Sequence, residues 1–545
     1  MTDAAAAELR LGDPRAADAR GPGMRIAAID IGSNSVRQIV ADVSDSGEIR
    51  VVDEMKAAPR LGTRLDTTGE LTGAAMQRAT DALARMATLA RRLGAERIEV
   101  VATSAVRDAV NRDEFLERVR EAAGLRVRIL DGEEEARLSF RSALAHFDLA
   151  VGRAVVMDIG GGSLELALSA DGLVERLISL PFGAIRLTEQ FLGPNPRPRD
   201  VRTLRRAVRG DIRSSLPRRD WRNAQIIGSG GTFTNLAGIY LARHGMSVAR
   251  SVHGTRVPRV EVEHILDVLT ALTPAERPAV PGLNAGRADI IIAGLAVIAE
   301  VLARLDAQAL TVSGYGIREG LLLETADVRP EPQDPGAARE RSVRAFAERC
   351  HFEQPHSEHV QRLALQIFDA IGERIGCIPA DRALLADAGL LHDVGYHINY
   401  DKHHKHSYHL IAHAELLGMS PEERVAVANI ARYHRGAEPK RKHGNFGPLE
   451  RTLRARIVRL AAILRVADGF DRGHAGAVDR IDVEWSERAL RLRAVPAREA
   501  PTVRLELWGA NRKRGLLQQV AGVPVEIVAP DGTVVEPDED AGRDD

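Results

Sequence analysis

Apolar residues along the chain fall into two kinds of run. Short blocks such as Ile26-Ala27-Ala28-Ile29, Ile98-Glu99-Val100-Val101-Ala102, Val127-Arg128-Ile129-Leu130 and Ala154-Val155-Val156-Met157 read as buried strands. Stretches with apolar positions three and four apart read as helices, among them Leu71 to Leu93, opened by Thr72 as a cap and closed by Gly94, and Arg287 through Ile298. The Arg-rich stretch to Arg219 reads as an exposed helix, because its charges alternate poorly with apolar positions. Ile481 to Trp485, Leu490 to Arg493 and Val503 to Leu507 alternate apolar and polar residues and predict strands of a small terminal module.

The block ending at Met157 runs into Asp158-Ile159-Gly160-Gly161-Gly162-Ser163-Leu164-Glu165, read as strand, tight turn, strand. Three consecutive glycines remove every Cβ from the turn, so backbone N–H groups can form a nest for phosphate oxygens. Ser163 adds a hydroxyl, and Asp158 and Glu165 bracket the turn with carboxylates able to hold Mg²⁺. Taken alone, the motif could equally be a plain glycine-rich hairpin. The pattern recurs, however: Asp30-Ile31-Gly32-Ser33-Asn34-Ser35 lies 128 residues upstream, and Gly228-Ser229-Gly230-Gly231-Thr232 forms a third such turn. This repeat implies two similar α/β halves facing across a cleft, each giving a turn to it. Ser104 and Arg107 follow the Ile98–Ala102 block, and the planar guanidinium of Arg107 suits phosphate, against the alternative of an ordinary surface arginine.

Composition adds bounds. The 545 residues are 44% hydrophobic but only 4% aromatic, enough for roughly three to five domains with aliphatic cores. A net charge of −1 argues against a uniformly basic nucleic-acid binder, so an anion site has to be local. Two cysteines, Cys350 and Cys377, cannot form a disulfide framework and suit a reducing cytoplasm. No run approaches the roughly 18 apolar residues needed to cross a bilayer, so no stable membrane insertion is expected.

The segments DIGSNS, ATSAVRDAVN, GEEEARL, DIGGGSLEL, GSGGTFTNLA and GYGIREGLL occur in the order seen in the exopolyphosphatase and guanosine pentaphosphate phosphohydrolase family, which this chain resembles over nearly its whole length after residue 24. The resemblance implies an α/β fold of duplicated actin-like, ribonuclease H-like domains, with inorganic polyphosphate or guanosine pentaphosphate as substrate. It also implies that Glu135 is the general base for the attacking water, while Glu133 and Glu134 read as dipole complements at a helix start. On that reading Ser33, Asn34, Ser35, Ser104, Gly160 to Ser163 and Gly230 to Thr232 bind phosphate, and Asp158, helped by Asp30 and Glu165, holds Mg²⁺.

A histidine-rich helical stretch follows. His359, His392-Asp393 and Asp468 lie on separate helical patterns and resemble the HD phosphohydrolase superfamily, in which four such side chains converge on a divalent metal. Longer members of the exopolyphosphatase family carry an HD-like module here, so Lys402, His404, Lys405, His406, His434 and Arg435 are expected to line a polyanion channel. The expected order is a disordered extension 1–23, actin-like domains at 24–150 and 151–326, a linker 327–340, an all-α HD-like domain 341–478, a small C-terminal α/β domain 479–536 and an acidic tail 537–545. Processive shortening of a polymer implies a homodimer or a long channel. The competing readings are guanosine pentaphosphate hydrolysis at the same site, tied to the stringent response, and a regulatory sensor controlling the HD module.

Overall fold

The computed structural model describes residues 23–216, 221–222, 224–246, 251–328, 335–414, 416, 418–498, 500 and 502–536. The expected extension before residue 23, the middle of the linker and the acidic tail lie outside the described residues. Two units make up the chain: Met1–Ala145 with Ile317–Glu331, and His146–Gly316 with Pro332–Asp545.

In the first unit β1 (Met24–Ile31), β2 (Val36–Val43), β3 (Ile49–Ala57), β4 (Arg97–Ala102) and β5 (Arg128–Ile129) form a sheet ordered β3-β2-β1-β4-β5. β1 pairs antiparallel with β2 and parallel with β4, so Asp30 stands opposite Arg37 at the mouth of the hairpin. Helix Gly73–Arg92 begins where its pattern predicts, with the Thr72 hydroxyl accepting from the Ala75 N–H at 3.3 Å. Helix Ile317–Thr325 returns to this unit and does not close the second, as the expected boundary at 326 would require. Its Leu321, Leu322 and Leu323 join one apolar cluster with Ile26, Ala28, Ile39 and Leu130.

The second unit repeats the arrangement with β6 (Arg153–Ile159), β7 (Leu164–Ala170), β8 (Leu173–Leu180), β9 (Gln225–Ser229), β10 (Thr255–Pro258) and β11 (Ala309–Val312), ordered β10-β11-β9-β6-β7-β8. β6 again lies between an antiparallel hairpin partner and a parallel strand, and Asp158 faces Glu165 in the register that Asp30 shares with Arg37. The expected duplicated α/β architecture is therefore present. The Arg-rich stretch is not simply exposed: helix Pro198–Ser215 buries Val201, Leu204, Val208 and Ile212. That spacing is an amphipathic stripe, hidden in the sequence by the arginines between. Two of them, Arg205 and Arg209, bind the buried carboxylate of Glu300 at 2.6 and 2.8 Å.

Beyond Pro335 come helices Pro335–Arg349, Gln354–Ile371, Asp381–Leu391, His403–His413, Pro421–Arg432 and Arg451–Gly469. The strands β12 (Val478–Trp485), β13 (Leu490–Pro496) and β14 (Val525–Val528) follow as a three-stranded sheet. Val360, Leu391, Ile457, Val478, Leu492 and Val525 belong to one core, so the stretches expected as separate helical and terminal domains share their packing. Val503 to Leu507 is not a strand. Helix Arg504–Lys513 buries Glu506, Leu507 and Ala510 and leaves Leu505 exposed, a helical spacing that five alternating residues cannot distinguish from a strand.

Candidate functional site

In the first unit the turn after β1 is closed by the Gly32 N–H donating to the Ser35 carbonyl at 3.0 Å. The carbonyls of Ser33 and Asn34 accept from Gly62 and Arg60 at 2.8 and 3.2 Å, which fixes them on one side of the turn. Ser33, Asn34 and Ser35 are buried, and the Ser33 and Ser104 hydroxyls lie 2.9 Å apart. Ser104 opens helix Ser104–Asp108, whose last turn carries Arg107. Glu135, in the first turn of helix Gly132–His146, is only 3% exposed. Its partner is Arg107, whose Nη1 also donates to the Leu130 carbonyl at 2.8 Å. The guanidinium thus holds a buried carboxylate in one orientation.

The second unit's turn has the same closure, Gly160 N–H to Ser163 carbonyl at 3.0 Å. The Gly160 and Gly161 carbonyls accept from Ala184 and Ile185, while the Gly161 and Gly162 N–H groups make no hydrogen bond among the described residues. That leaves donors turned away from the carbonyls, the arrangement of an anion nest. Gly183 permits the close approach: a Cβ there would lie 2.2 Å from the Gly161 oxygen. Asp158 accepts from the Ser229 hydroxyl at 3.0 Å, and Glu165 from Ser179 at 3.1 Å. Both carboxylates and Ser163 are buried. Gly230 then caps helix Gly231–Arg243, with Thr232 buried in its first turn. A helix N-terminus beside an acid-flanked turn suits phosphate and a divalent cation together.

The third cluster lies wholly among the C-terminal helices. His392 ends helix Asp381–Leu391, and its Nδ1 donates to the Gly389 carbonyl at 2.8 Å. His434 follows helix Pro421–Arg432 and donates from Nδ1 to the Ala431 carbonyl at 2.6 Å; His403, first in helix His403–His413, does so to Tyr400 at 3.1 Å. His356 donates from Nδ1 to Asp471 at 2.8 Å. A carbonyl cannot donate, so three of these rings must carry a proton on Nδ1, and a neutral ring then presents a bare Nε2 lone pair. Asp393 sits among all four, flanked by Asp468, which pairs with Lys513. Gly395 brings these helices together, since a Cβ there would lie 2.0 Å from the His403 carbonyl oxygen.

Electrostatics separates these imidazoles. Burial pulls His392 and His434 below their ordinary value, so both are neutral at pH 7. Burial also acts against His356, but Asp471, Asp468 and Asp393 outweigh it and raise its pKa. Asp468 is held low although burial opposes it, with Lys513 the foremost stabilising partner. Two groups of buried donor atoms are able to hold a metal ion: His356, His392 and Asp393, and Asp393, His403 and His434.

His359 is corrected by this geometry. It lies one turn beyond His356, with Nδ1 3.0 Å from Arg362, and belongs to neither group. A helix pattern does not say which of two histidines three residues apart faces the core. His434 belongs to a metal-capable group, although it also lines the cavity expected as a channel, together with Lys402, His404, Lys405 and Arg435; His406 does not line it. His356, His403, Asp471 and Lys513 escaped the sequence reading. Among the described residues, no helix is long and apolar enough to cross a membrane.

A model of the Ppx/GppA phosphatase family matches residues 39–328, and one of its domain III matches 338–495. The chain is 30% identical over 451 residues to a guanosine-5'-triphosphate,3'-diphosphate pyrophosphatase of Vibrio vulnificus, covering 80% of this chain and 86% of that one. Exopolyphosphatase 2 of Mycobacterium tuberculosis is 35% identical over 321 residues, 55% of this chain and 98% of its own. A solved exopolyphosphatase from Cytophaga hutchinsonii superposes with a TM-score of 0.51 at 27% identity, covering 56% of this chain and 98% of that one.

Proposed function

Because the chain belongs to the Ppx/GppA phosphatase family, we propose that it is a phosphoanhydride hydrolase releasing orthophosphate from the end of inorganic polyphosphate. The observation that carries the reading is Glu135, a buried carboxylate fixed by Arg107 at the start of a helix. Glu135 accepts the proton of the attacking water, and Arg107 keeps its carboxylate aimed. The turn at Gly160 to Ser163, the helix start at Gly230 to Thr232 and the Ser33 to Ser35 turn with Ser104 bind phosphate oxygens through N–H and hydroxyl donors. Mg²⁺ bound by Asp158 and Glu165 supplies charge neutralisation, and Asp30 serves the same end in the first unit. Two buried free thiols, Cys350 and Cys377, support a reducing, cytoplasmic setting.

In the helical part we assign an HD-like domain with one divalent ion held by His356, His392, Asp393 and Asp468. Lys402, Lys405 and Arg435 give the adjoining cavity a basic lining suited to polyanion. Guanosine pentaphosphate is the second reading. The Vibrio relative, matching 80% of the chain, carries a name for that chemistry, whereas the Mycobacterium relative matches 55% of the chain. Orthophosphate release from both substrates with Mg²⁺ tests the pair: a higher kcat/KM on long polyphosphate supports the first reading, and a higher value on guanosine pentaphosphate replaces it with the second.

A further inference from the structure

The short run of residues 313–316 that leaves β11 borders an acid of the second glycine turn. Its start is tied to β9, where the Ser313 N–H donates to the Gly228 carbonyl at 2.8 Å, and the Ser313 hydroxyl donates to the Tyr315 carbonyl at 2.9 Å. Gly316 then packs on Asp158: a Cβ there would lie 3.8 Å from Oδ2, the oxygen that accepts from Ser229. Rings hold the middle of the run. His253 Nδ1 accepts from the Gly314 N–H at 3.3 Å, Tyr315 stacks on His146 with centroids 3.9 Å apart, and His253 lies 4.8 Å from both Tyr315 and Phe147.

His253 is held in turn from the helical part. Arg424, buried in the first turn of helix Pro421–Arg432, donates to the Ser251 carbonyl at 2.9 Å, and a Cβ on Gly254 would lie 3.5 Å from the Cα of Ser420, the cap of that helix. The cap is firm: the Ser420 hydroxyl accepts from the Glu423 N–H at 3.2 Å, and Glu423 pairs with Arg339 at 2.7 Å. Burial first, then the charges of His146 and Arg424, keep His253 neutral, so its Nδ1 stays an acceptor for Gly314. A buried cation in the first turn of a helix is disfavoured by desolvation and by the helix dipole alike, so its own helix does not explain Arg424. We propose that Arg424 is a positioning residue for the hydrolytic cleft: by fixing residues 251–254 it fixes the ring group and the run 313–316, and so keeps the backbone at Gly316 against Asp158. This role rests on the reading of Asp158 as an acid of that cleft, and it makes the helices a source of order there.

The test is polyphosphate kinetics of full-chain variants together with hydrogen exchange in Mg²⁺-free protein. Arg424→Met is expected to lower kcat roughly tenfold or more with KM held within about twofold, because the phosphate-binding turns do not move. Arg424→Lys, which keeps a donor, is expected to recover part of the loss, and it serves as the variant of record if Arg424→Met fails to fold by circular dichroism. Tyr315→Leu, at the other end of the same contacts, is expected to lower kcat similarly, and the double variant no further than either, since losses at independent sites would add. Amide exchange over 309–316 is expected to quicken in Arg424→Met while that of β6 stays as in wild type. An unchanged kcat, a rise in KM alone, additive losses, or unchanged exchange over 309–316 overturns the role. A wild type that releases no orthophosphate from either substrate overturns instead the hydrolytic reading of the cleft, and exchange then decides by itself whether Arg424 holds the run.

Discussion

The glycine turns of the two sheets and the histidine cluster of the helices are opposites in polarity. In the second unit's turn the Gly160 and Gly161 carbonyls are tied back and the Gly161 and Gly162 N–H groups are left as donors, so the site asks for an anion. Around Asp393 the protons are tied back and lone pairs are left, so the site asks for cations. One chain therefore carries a donor site and an acceptor site, and the backbone partner of each polar group, more than residue type, decides which is which.

The largest effect that could break this division is at Glu135. Glu135→Gln is expected to lower polyphosphate turnover at least about 100-fold while leaving bound metal in the helices unchanged; orthophosphate release and metal analysis check both halves. Next come paired glycine substitutions. Gly183→Ala places a methyl against the Gly161 carbonyl and Gly395→Ala one against the His403 carbonyl, both backbone atoms that cannot rotate away. Each is expected to cost about 1–3 kcal/mol in denaturant unfolding. The first is expected to raise the KM for polyphosphate and the second to weaken Mn²⁺ binding, so an exchange of those phenotypes would dissolve the contrast.

Lys513 sharpens it further. Its ammonium pairs with Asp468, a carboxylate assigned to the divalent ion of the helical part. Lys513→Met is expected to tighten Mn²⁺ roughly tenfold, about 1.4 kcal/mol, because a competing cation is gone; titration calorimetry measures it. The smallest effect lies away from both sites. His253 is buried and accepts from the Gly314 N–H at 3.3 Å through Nδ1, and burial, then His146 and Arg424, hold its pKa well below 6.5. A depressed folded pKa means that the unfolded chain binds the proton first. Stability is full above about pH 6.5 and declines below it, and His253→Gln is expected to flatten that part of a melting-temperature profile.

The turns were legible because each is one contiguous segment: an apolar strand, an aspartate and glycines specify hairpin and chemistry together, and Asp30 and Asp158 show it twice in the same register. The pairing of Arg107 with Glu135 across 28 positions was not, since no local pattern reports it. In the helices, Asp393 and Asp468 stand out in sequence, but the period of a helix does not choose between His356 and His359. Reading Val503 to Leu507 as a strand removed the helix that carries Lys513 to Asp468. Long-range convergence is a property of packing, and there the sequence names candidates without selecting among them.

Orthophosphate release from long-chain polyphosphate with Mg²⁺, compared among wild type, Glu135→Gln and Asp393→Ala, tests the separation of the two sites most directly. Loss of release in Glu135→Gln with release retained in Asp393→Ala is the expected result. Retained release in Glu135→Gln with loss in Asp393→Ala would contradict it and move the hydrolysis to the helical site.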